Sequence, residues 1–514
     1  MLKGSLKLPG LYTLKLTRGV LLISLLIFLL YHLPFYRYVF QHVNYKSLNG
    51  IGLITSLMVL MLVVNAFVWY IIFFISRYAG KFLLILFFIL NAIAVYFINT
   101  YHVIVDESMM GNVLNTNYEE SSSFFSFKLI LYIFGLGILP GIYVFKVRII
   151  SETWKRFLLT FSITLLFIVL LAYANAPNWL WLDKNSKQLG GLAMPWSYSV
   201  NTSLFYIHQH KKNKKEILLP PATITDSAKS VMVLVIGESA RKENFSLYGY
   251  KKNTNPLLSQ TPNLFHFDAN SGATYTAAGV KCILEHTKTD ELYEILPNYL
   301  YRNNVDVFWR TTNWGEPPIH IKSYQKKENL IRDCAGEGCH YDEILLTGLK
   351  EQILASTKNK ILVILHTSTS HGPSYSKKYP PRFEIFKPVC NSVELGDCSR
   401  ESLINAYDNT IVYTDYILYN LIETLKQLKD YKSAMMFVSD HGESLGEKNL
   451  YMHGLPISIA PKEQFEIPFI VWQSDSTKQL KVNTTLSQFN VFHSVLKFLS
   501  VQSPIFDEKM NIFK

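Results

Sequence analysis

Between Val20 and Tyr173 five apolar stretches follow one another: Val20 to Tyr36, Ile51 to Ser76, Phe82 to Val105, Phe124 to Phe145 and Phe157 to Tyr173. Each approaches or exceeds the roughly 18 to 20 residues that carry a helix across a hydrocarbon layer. Only Gly, Pro, Asn and an occasional charge interrupt them. Large soluble proteins also bury apolar helices, but seldom five in succession. Residues 1–175 are therefore expected to form a five-helix transmembrane bundle.

The short connections set its orientation, because Lys and Arg stay on the cytoplasmic side. Lys3, Lys7, Lys15 and Arg18 precede the first span, Arg77 and Lys81 join the second to the third, and Lys146, Arg148, Lys155 and Arg156 join the fourth to the fifth. The loop from Asp106 to Ser123 carries Asp106, Glu107, Glu119 and Glu120 and no Lys or Arg. It belongs on the opposite face, and an odd number of spans leaves everything after Tyr173 outside the cytoplasm. No small-residue cleavage site follows the first span, which reads as an uncleaved anchor. The cysteines agree: Cys282, Cys334, Cys339, Cys390 and Cys398 all lie in the exported part. The spacings Cys334 to Cys339 and Cys390 to Cys398 suit short disulfide loops in an oxidising compartment, and they lack the two-residue spacing of a zinc finger. Cys282 is left over.

Residues 176–221 form a connector rich in Trp, Tyr, Pro and Gly that ends in a lysine run from Lys211 to Lys215. Trp179, Trp181, Trp196 and Tyr198 favour a membrane interface and the lysines favour anionic headgroups, so the connector is expected on the bilayer surface. A solvated charged linker is the plainer reading of the lysines alone. The net charge of +11 is read as membrane apposition, since no nucleic-acid motif accompanies it.

From Ile217 onward short apolar runs alternate with helical patterns. Candidate strands are Val231 to Ile236, Val305 to Trp309, Ile361 to Leu365, Ala434 to Val438 and Ile467 to Trp472. From Ser402 to about Leu428, the residues Leu403, Tyr407, Ile411, Leu418, Leu421, Ile422 and Leu425 recur at helical spacing. Strands separated by helices predict an α/β domain over 222–514 with a mostly parallel central sheet covered on both faces.

Such sheets gather their chemistry at the carboxyl ends of strands. Two apolar runs end in side chains that bind metals: Val231 to Gly237 leads into Glu238, and Met435 to Val438 leads into Asp440-His441-Gly442-Glu443-Ser444, with His453 further on. Glu238, Asp440 and His441 offer two oxygens and one imidazole nitrogen, which suits zinc or manganese better than calcium. Three ligands leave a position open, where a hydroxyl amino acid becomes an activated nucleophile. The candidate is Thr276, in Ser271-Gly272-Ala273-Thr274-Tyr275-Thr276-Ala277-Ala278-Gly279. Its small neighbours let the backbone approach an anion at a helix start, although on spacing alone such a Thr is usually a turn or cap residue.

Taken together the motifs resemble the inner-membrane phosphoethanolamine transferases of Gram-negative bacteria, within the alkaline phosphatase and sulfatase superfamily. The resemblance covers nearly the whole chain. It rests on Gly237-Glu238-Ser239-Ala240-Arg241-x-Glu243-Asn244-Phe245-Ser246-Leu247-x-Gly249-Tyr250 with Thr254-Asn255-Pro256, on Trp309-Arg310, and on His371-Gly372-Pro373-x-Tyr375. It rests equally on Pro388-Val389-Cys390 with Cys398, Asn405-Ala406-Tyr407-Asp408-Asn409, Ser439-Asp440-His441-Gly442-Glu443-Ser444-Leu445-Gly446-Glu447, and Tyr451-x-His453-Gly454 with Ala460-Pro461.

The resemblance implies that Glu238, Thr276, Asp440 and His441 hold a zinc ion and that Thr276 attacks the phosphorus of phosphatidylethanolamine. Diacylglycerol leaves, and a phosphoethanolamine-threonine intermediate passes its group to an envelope acceptor, lipid A phosphate or a lipooligosaccharide sugar. His371 and His453 match family positions near the phosphate, where they bind a second zinc or act as acid and base. Asn313 aligns with a residue near the headgroup, and Asn112, Thr116 and Glu120 resemble a segment that recognises the ethanolamine, with Glu120 facing the ammonium. His366 is a weaker candidate, since a lone histidine at a strand end is more often structural. The resemblance further implies an inner-membrane protein with its catalytic domain in the periplasm, and a monomer is expected. Two departures stand out. Relatives commonly carry a cysteine near Gly272 paired with the one at Cys282, and a lysine a few residues beyond Asn313, where this chain has Glu316-Pro317-Pro318.

Two other readings compete. A phosphoglycerol transferase of the lipoteichoic acid synthase kind uses similar topology and a metal-bound threonine, but the Glu238 to Tyr250 stretch and His371-Gly372-Pro373 favour the first reading. A non-catalytic metal-binding membrane scaffold would retain the fold, but the intact ligand set argues against it.

Overall fold

The computed structural model describes residues 13–514 apart from 117, 176–177, 179–180, 183–184, 213–215, 394, 476–479 and 482–484, and the side chains of 118–120 and 208–212. Lys3, Lys7, Trp179, Lys214, Lys215 and the Glu120 side chain thus lie outside the described residues. The chain divides into two compact units, one of residues 1–110 and 125–205, the other of 111–124 and 206–514. The segment Gly111–Phe124, an expected part of the loop between two spans, groups with the larger unit.

In the first unit, four helices among the described residues are long and apolar enough to cross a membrane: Leu48–Ile75, Arg77–Tyr101, Phe127–Lys146 and Trp154–Ala174. Serine side chains start three of them, Ser47 accepting from the amide of Gly50, Ser76 from that of Ala79 and Ser126 from that of Leu129. The first expected span, Val20 to Tyr36, is not one helix. It is a pair, Leu16–Tyr31 and Leu33–His42, bent by 67°. The break falls where Pro34 enters the first turn of the second helix, because proline cannot donate the amide that would continue the first. Counted as one span, the pair brings the total to five. In the connector, helices cover Ser186–Leu192 and Trp196–Lys212.

The second unit is built on an eight-stranded sheet. In chain order its strands are β1 (Ser230–Gly237), β2 (Leu264–Asn270), β3 (Asp306–Thr311), β4 (Ser323–Lys326), β5 (Lys360–His366), β6 (Lys432–Ser439), β7 (Glu466–Gln473) and β8 (Leu486–Ser487). Their spatial order is β8-β2-β7-β6-β1-β5-β3-β4. Only β7 runs against its neighbours, pairing antiparallel with both β2 and β6; the remaining pairs are parallel.

β1 lies at the centre and is buried along its whole length, which is why it reads as an unbroken apolar run rather than an alternating one. Met232, Leu234 and Ile236 on one face pack with Ile364, Met436, Val438, Phe469, Val280 and Phe492. Each fully buried side chain of this kind contributes about 1.5–3 kcal/mol. Helix Arg400–Lys426 covers part of the domain with the expected stripe, Leu403, Tyr407, Ile411, Leu418, Leu421, Ile422 and Leu425, all buried. Ser399 caps it by accepting from the amide of Ser402. Both expected short disulfides are present, Cys334–Cys339 and Cys390–Cys398.

Candidate metal centre

β1 and β6 are adjacent and parallel, and Gly237 pairs with Ser439. The next residues of each strand, Glu238 and Asp440, therefore leave the sheet at the same level. The Asp440 amide donates to the Gly237 carbonyl at 2.9 Å, and the Asp440 Oδ1 accepts from the amides of Ser239 and His441 at 3.0 and 2.7 Å. These bonds fix one carboxylate oxygen and leave the other, Oδ2, buried and without a hydrogen-bond partner among the described residues.

Thr276 opens the helix Thr276–Leu284. That helix comes close because residue 279 is glycine: a Cβ there would lie 2.2 Å from the Asp440 carbonyl oxygen. From the other side Gly315, at a φ of +96°, presses on the same turn. A Cβ on it would meet Thr276 Cγ2 and the Ala277 amide at 3.3 Å. The Thr276 hydroxyl is thus held facing the strand ends.

Four potential ligand atoms converge. Thr276 Oγ1 lies 3.3 Å from both Glu238 Oε2 and His441 Nε2. His441 Nε2 lies 3.4 Å from Asp440 Oδ2 and 3.5 Å from Glu238 Oε1. Tetrahedral ligands about 2.0–2.1 Å from a zinc ion stand about 3.3–3.4 Å apart from one another. All four side chains are buried. His441 Nδ1 lies 2.8 Å from the Gly442 carbonyl; with the proton on Nδ1 to make that bond, the Nε2 lone pair points into the cluster.

The electrostatics describe a hole for a cation. Burial and the neighbouring Glu238 carboxylate push Asp440 well above the usual carboxylate range. At Glu238 burial acts in the same direction, but the imidazoles of His371 and His453 outweigh it and hold the carboxyl well below that range. Burial, with help from His453, drives His441 down to about 3, so it is a neutral donor. The residues present fit a divalent metal ion: two carboxylates, a neutral imidazole, a hydroxyl and an oxygen lacking a partner.

Around this cluster stand the other expected residues. His453 is stacked obliquely on His441, ring centroids 4.2 Å apart, and His371 lies 5.4 Å from His453. Glu443, fully buried, sits 3.3 Å from His453 Nδ1 and orients that ring. Sequence reasoning gave Glu443 no role, although its signal was visible as the second carboxylate of Asp440-His441-Gly442-Glu443. Asn313 donates from Nδ2 to Glu238 Oε2 at 2.6 Å and to the Thr367 carbonyl at 2.8 Å. Its two amide protons are therefore committed to Glu238 and to the residue that follows β5, at the position the sequence reading placed near the headgroup.

Asn112 lies against the turn after His453, its Nδ2 3.1 Å from where a Gly454 Cβ would be. Thr116, half-buried, follows the end of the helix Glu107–Asn115. His366 is fully buried at the end of β5, with Nδ1 3.7 Å from Glu316 Oε2 and its ring edge-on to Trp309. It is not among the residues whose potential ligand atoms converge.

Gly272, where the resemblance led to the expectation of a cysteine, lies against Cys282. A Cβ on it would fall 3.4 Å from Cys282 Cβ and 2.7 Å from its sulfur, close to the spacing of a bonded pair. Burial, reinforced by Glu285, raises the Cys282 thiol to about 11, so the native thiol is unreactive. Gly272→Cys is expected to form a disulfide with Cys282 in the oxidised protein. Closing this short loop contributes about 2–4 kcal/mol, read as a higher Tm that falls back on reduction, with loss of the free thiol by alkylation and mass analysis as the check.

Comparison with known proteins agrees with this geometry. Residues 230–501 match the Sulfatase family model, and residues 63–210 match the model described as Phosphoethanolamine transferase EptA/EptB. Phosphoethanolamine transferase EptA of Helicobacter pylori (strain ATCC 700392 / 26695) is 42% identical over 497 residues, covering 94% of this chain and 93% of the relative. The enzyme of the same name from Escherichia coli (strain K12) is 30% identical over 558 residues, covering 100% and 99%. The solved integral membrane protein lipooligosaccharide phosphoethanolamine transferase A (EptA) from Neisseria meningitidis superposes with a TM-score of 0.88 at 25% identity, covering 98% of this chain and 99% of that one. With membrane-spanning helices ahead of a sulfatase fold and a Glu, Thr, Asp and His cluster at its strand ends, the chain belongs to the EptA/EptB family of phosphoethanolamine transferases.

Proposed function

We propose that the chain takes phosphoethanolamine from phosphatidylethanolamine onto Thr276 and passes it to lipid A phosphate or a lipooligosaccharide sugar, on the periplasmic face of the inner membrane. The observation that carries this reading is the convergence of Thr276 Oγ1, Glu238, Asp440 and His441 at 3.3–3.5 Å. Support for the acceptor class comes from the Neisseria meningitidis relative, whose name specifies lipooligosaccharide.

Glu238, Thr276, Asp440 and His441 would hold zinc, which when bound lowers the pKa of the Thr276 hydroxyl and neutralises phosphate charge. The residues do the rest. The start of helix Thr276–Leu284 points backbone amides at the phosphate, which favours its negative charge. Asn313 holds Glu238 in place through Nδ2. With its hydroxyl proton first lost to solvent, the Thr276 Oγ1 oxyanion attacks phosphorus, the bond to the diacylglycerol oxygen breaks, and that oxygen leaves with a proton from a protonated His371 or His453. In the second half the acceptor hydroxyl or phosphate attacks the same phosphorus, an imidazole accepts any proton released, and the Thr276 oxygen leaves. The scheme needs positioning and charge neutralisation, which is what phosphoryl transfer demands. A covalent stage lets one site serve two lipids in turn.

Incubation of the full chain with head-labelled phosphatidylethanolamine, or separately phosphatidylglycerol, tests the donor. Label is expected in the lipid A and lipooligosaccharide fraction from phosphatidylethanolamine. Transfer from phosphatidylglycerol alone would establish the phosphoglycerol reading instead.

A further inference from the structure

Arg310 and the Cys334–Cys339 disulfide take no part in the chemistry above, yet both brace one buried carboxylate. Arg310, 3% exposed in β3, donates from Nη1 to the carbonyls of Leu345 and Thr347 at 2.8 and 2.6 Å. That bond holds the end of the short 3-10 helix Asp342–Leu346. Just ahead of the helix the disulfide closes, and the amide of Tyr341 donates to the Gly338 carbonyl at 3.0 Å. Asp342, itself 3% exposed, is thus anchored from both sides.

The Asp342 carboxylate accepts from four donors. Oδ1 takes the hydroxyls of Thr312 and Ser368 at 2.5 and 3.2 Å, and Oδ2 takes the Ser368 amide at 2.7 Å and the Thr369 hydroxyl. Two oxygens with two lone pairs each are thereby filled. The donors belong to two segments that lead into the metal centre. Thr312 follows β3 and precedes Asn313, which holds Glu238. Ser368 and Thr369 follow β5 and precede His371, whose amide closes a turn on the Ser368 carbonyl at 3.3 Å. Asp342 therefore sets where the turn that carries His371 begins. All of these residues lie in the larger compact unit.

We propose that Asp342 is a positioning residue for transfer: by locking Ser368 and Thr369 to Thr312, it fixes the His371 imidazole relative to Glu238 and Thr276. The inference rests on the proposed function, with His371 as the proton donor to the leaving oxygen. A proton passes only over hydrogen-bond reach, and a misplacement of about 1 Å costs on the order of 10²-fold in rate. Asparagine at position 342 would keep the shape of the side chain but offer one oxygen, turning its own amide protons toward two of the donors. One edge of the clasp would then open.

The test compares Asp342→Asn with the unaltered full chain, zinc-loaded, on phosphatidylethanolamine and on the p-nitrophenyl ester of phosphoethanolamine. Lys360→Met is the control, since Lys360 is 1% exposed at the opposite end of β5 and paired with Asp226 at 2.6 Å. Its loss is expected to lower Tm and leave both rates intact. Asp342→Asn is expected to lower kcat on phosphatidylethanolamine about 10²-fold at nearly constant KM. On the ester its kcat is expected to stay within about threefold, because nitrophenolate leaves without needing a proton. An equal loss on the two donors would overturn the proposal, as would a loss on the lipid no greater than that of Lys360→Met. Should the unaltered chain not turn over the ester, a His371→Ala background decides. A cost of Asp342→Asn there as large as in the unaltered chain would overturn the proposal, and a cost below about threefold would uphold it. Absence of transfer from phosphatidylethanolamine by the unaltered chain would instead overturn the proposed donor.

Discussion

Thr276→Ala is expected to abolish transfer, with kcat/KM falling at least about 10³-fold, while the protein stays folded. The hydroxyl is the attacking atom in the scheme, and no other side-chain hydroxyl among the described residues is placed against Glu238 Oε2 and His441 Nε2 together as Thr276 Oγ1 is, at 3.3 Å from each. The structural cost is modest. Thr276 is buried at the first turn of a helix, where alanine is tolerated, and the lost hydrogen bond costs about 0.5–1.5 kcal/mol. Three ligands remain, so metal is retained in part. Thr276→Ser keeps an attacking oxygen and is expected to recover measurable transfer. Activity and thermal unfolding measured on the same preparations check this, and a Thr276→Ala protein active at the unaltered rate would remove Thr276 from the mechanism.

Stripping the metal is expected to have an effect of similar size. Without a cation the site holds two carboxylates in a fully buried cluster, and Asp440 must carry a proton that burial and Glu238 force upon it. Binding the ion releases that proton and pairs Asp440 Oδ2, which otherwise has no partner among the described residues. Chelation is therefore expected to end transfer and to lower Tm. A ligand present at a thousandfold over its Kd stabilises by about 4 kcal/mol, roughly 10 °C for a domain of this size. Zinc is expected to restore both activity and Tm, and calcium or magnesium neither, because the set includes an imidazole. Acid works against the ion, since protons compete for the same ligands. Calorimetry with metal analysis before and after chelation provides the check.

The residues that carry this chemistry were legible because parallel-sheet strands are buried on both faces. Continuous runs such as Met435 to Val438 announce themselves, and the polar residue that ends each run marks the strand terminus. β1, β3, β5, β6 and β7 were found this way to within one or two residues. β2 escaped because its pattern alternates: His266, Asp268 and Asn270 are exposed between the buried Phe267 and Ala269. β4 and β8 are too short to generate a pattern. The antiparallel course of β7 depends on pairing, which periodicity does not report.

At the site, the side-chain types that converge and their order along the chain could be read, but their distances could not. Asn313 illustrates the gap. Its resemblance to a headgroup residue placed it in the neighbourhood, but only the fold shows both amide protons occupied by Glu238 and Thr367. Likewise the apposition of Asn112 and Gly454 joins segments separated by most of the chain, and no local pattern encodes it. In the membrane unit the break before Leu33 was written in Pro34, but hydropathy summed over a window passes straight across it.

The central claim is that Thr276 itself carries the phosphoethanolamine between donor and acceptor. Mass spectrometry of the full chain, zinc-loaded and exposed to phosphatidylethanolamine in the absence of an acceptor, tests it most directly. The account predicts a peptide containing Thr276 that has gained one phosphoethanolamine, with fragmentation assigning the group to Thr276 and loss of the adduct when acceptor is added. Diacylglycerol released in step with transfer, and no adduct on Thr276 at any time during turnover, would contradict it.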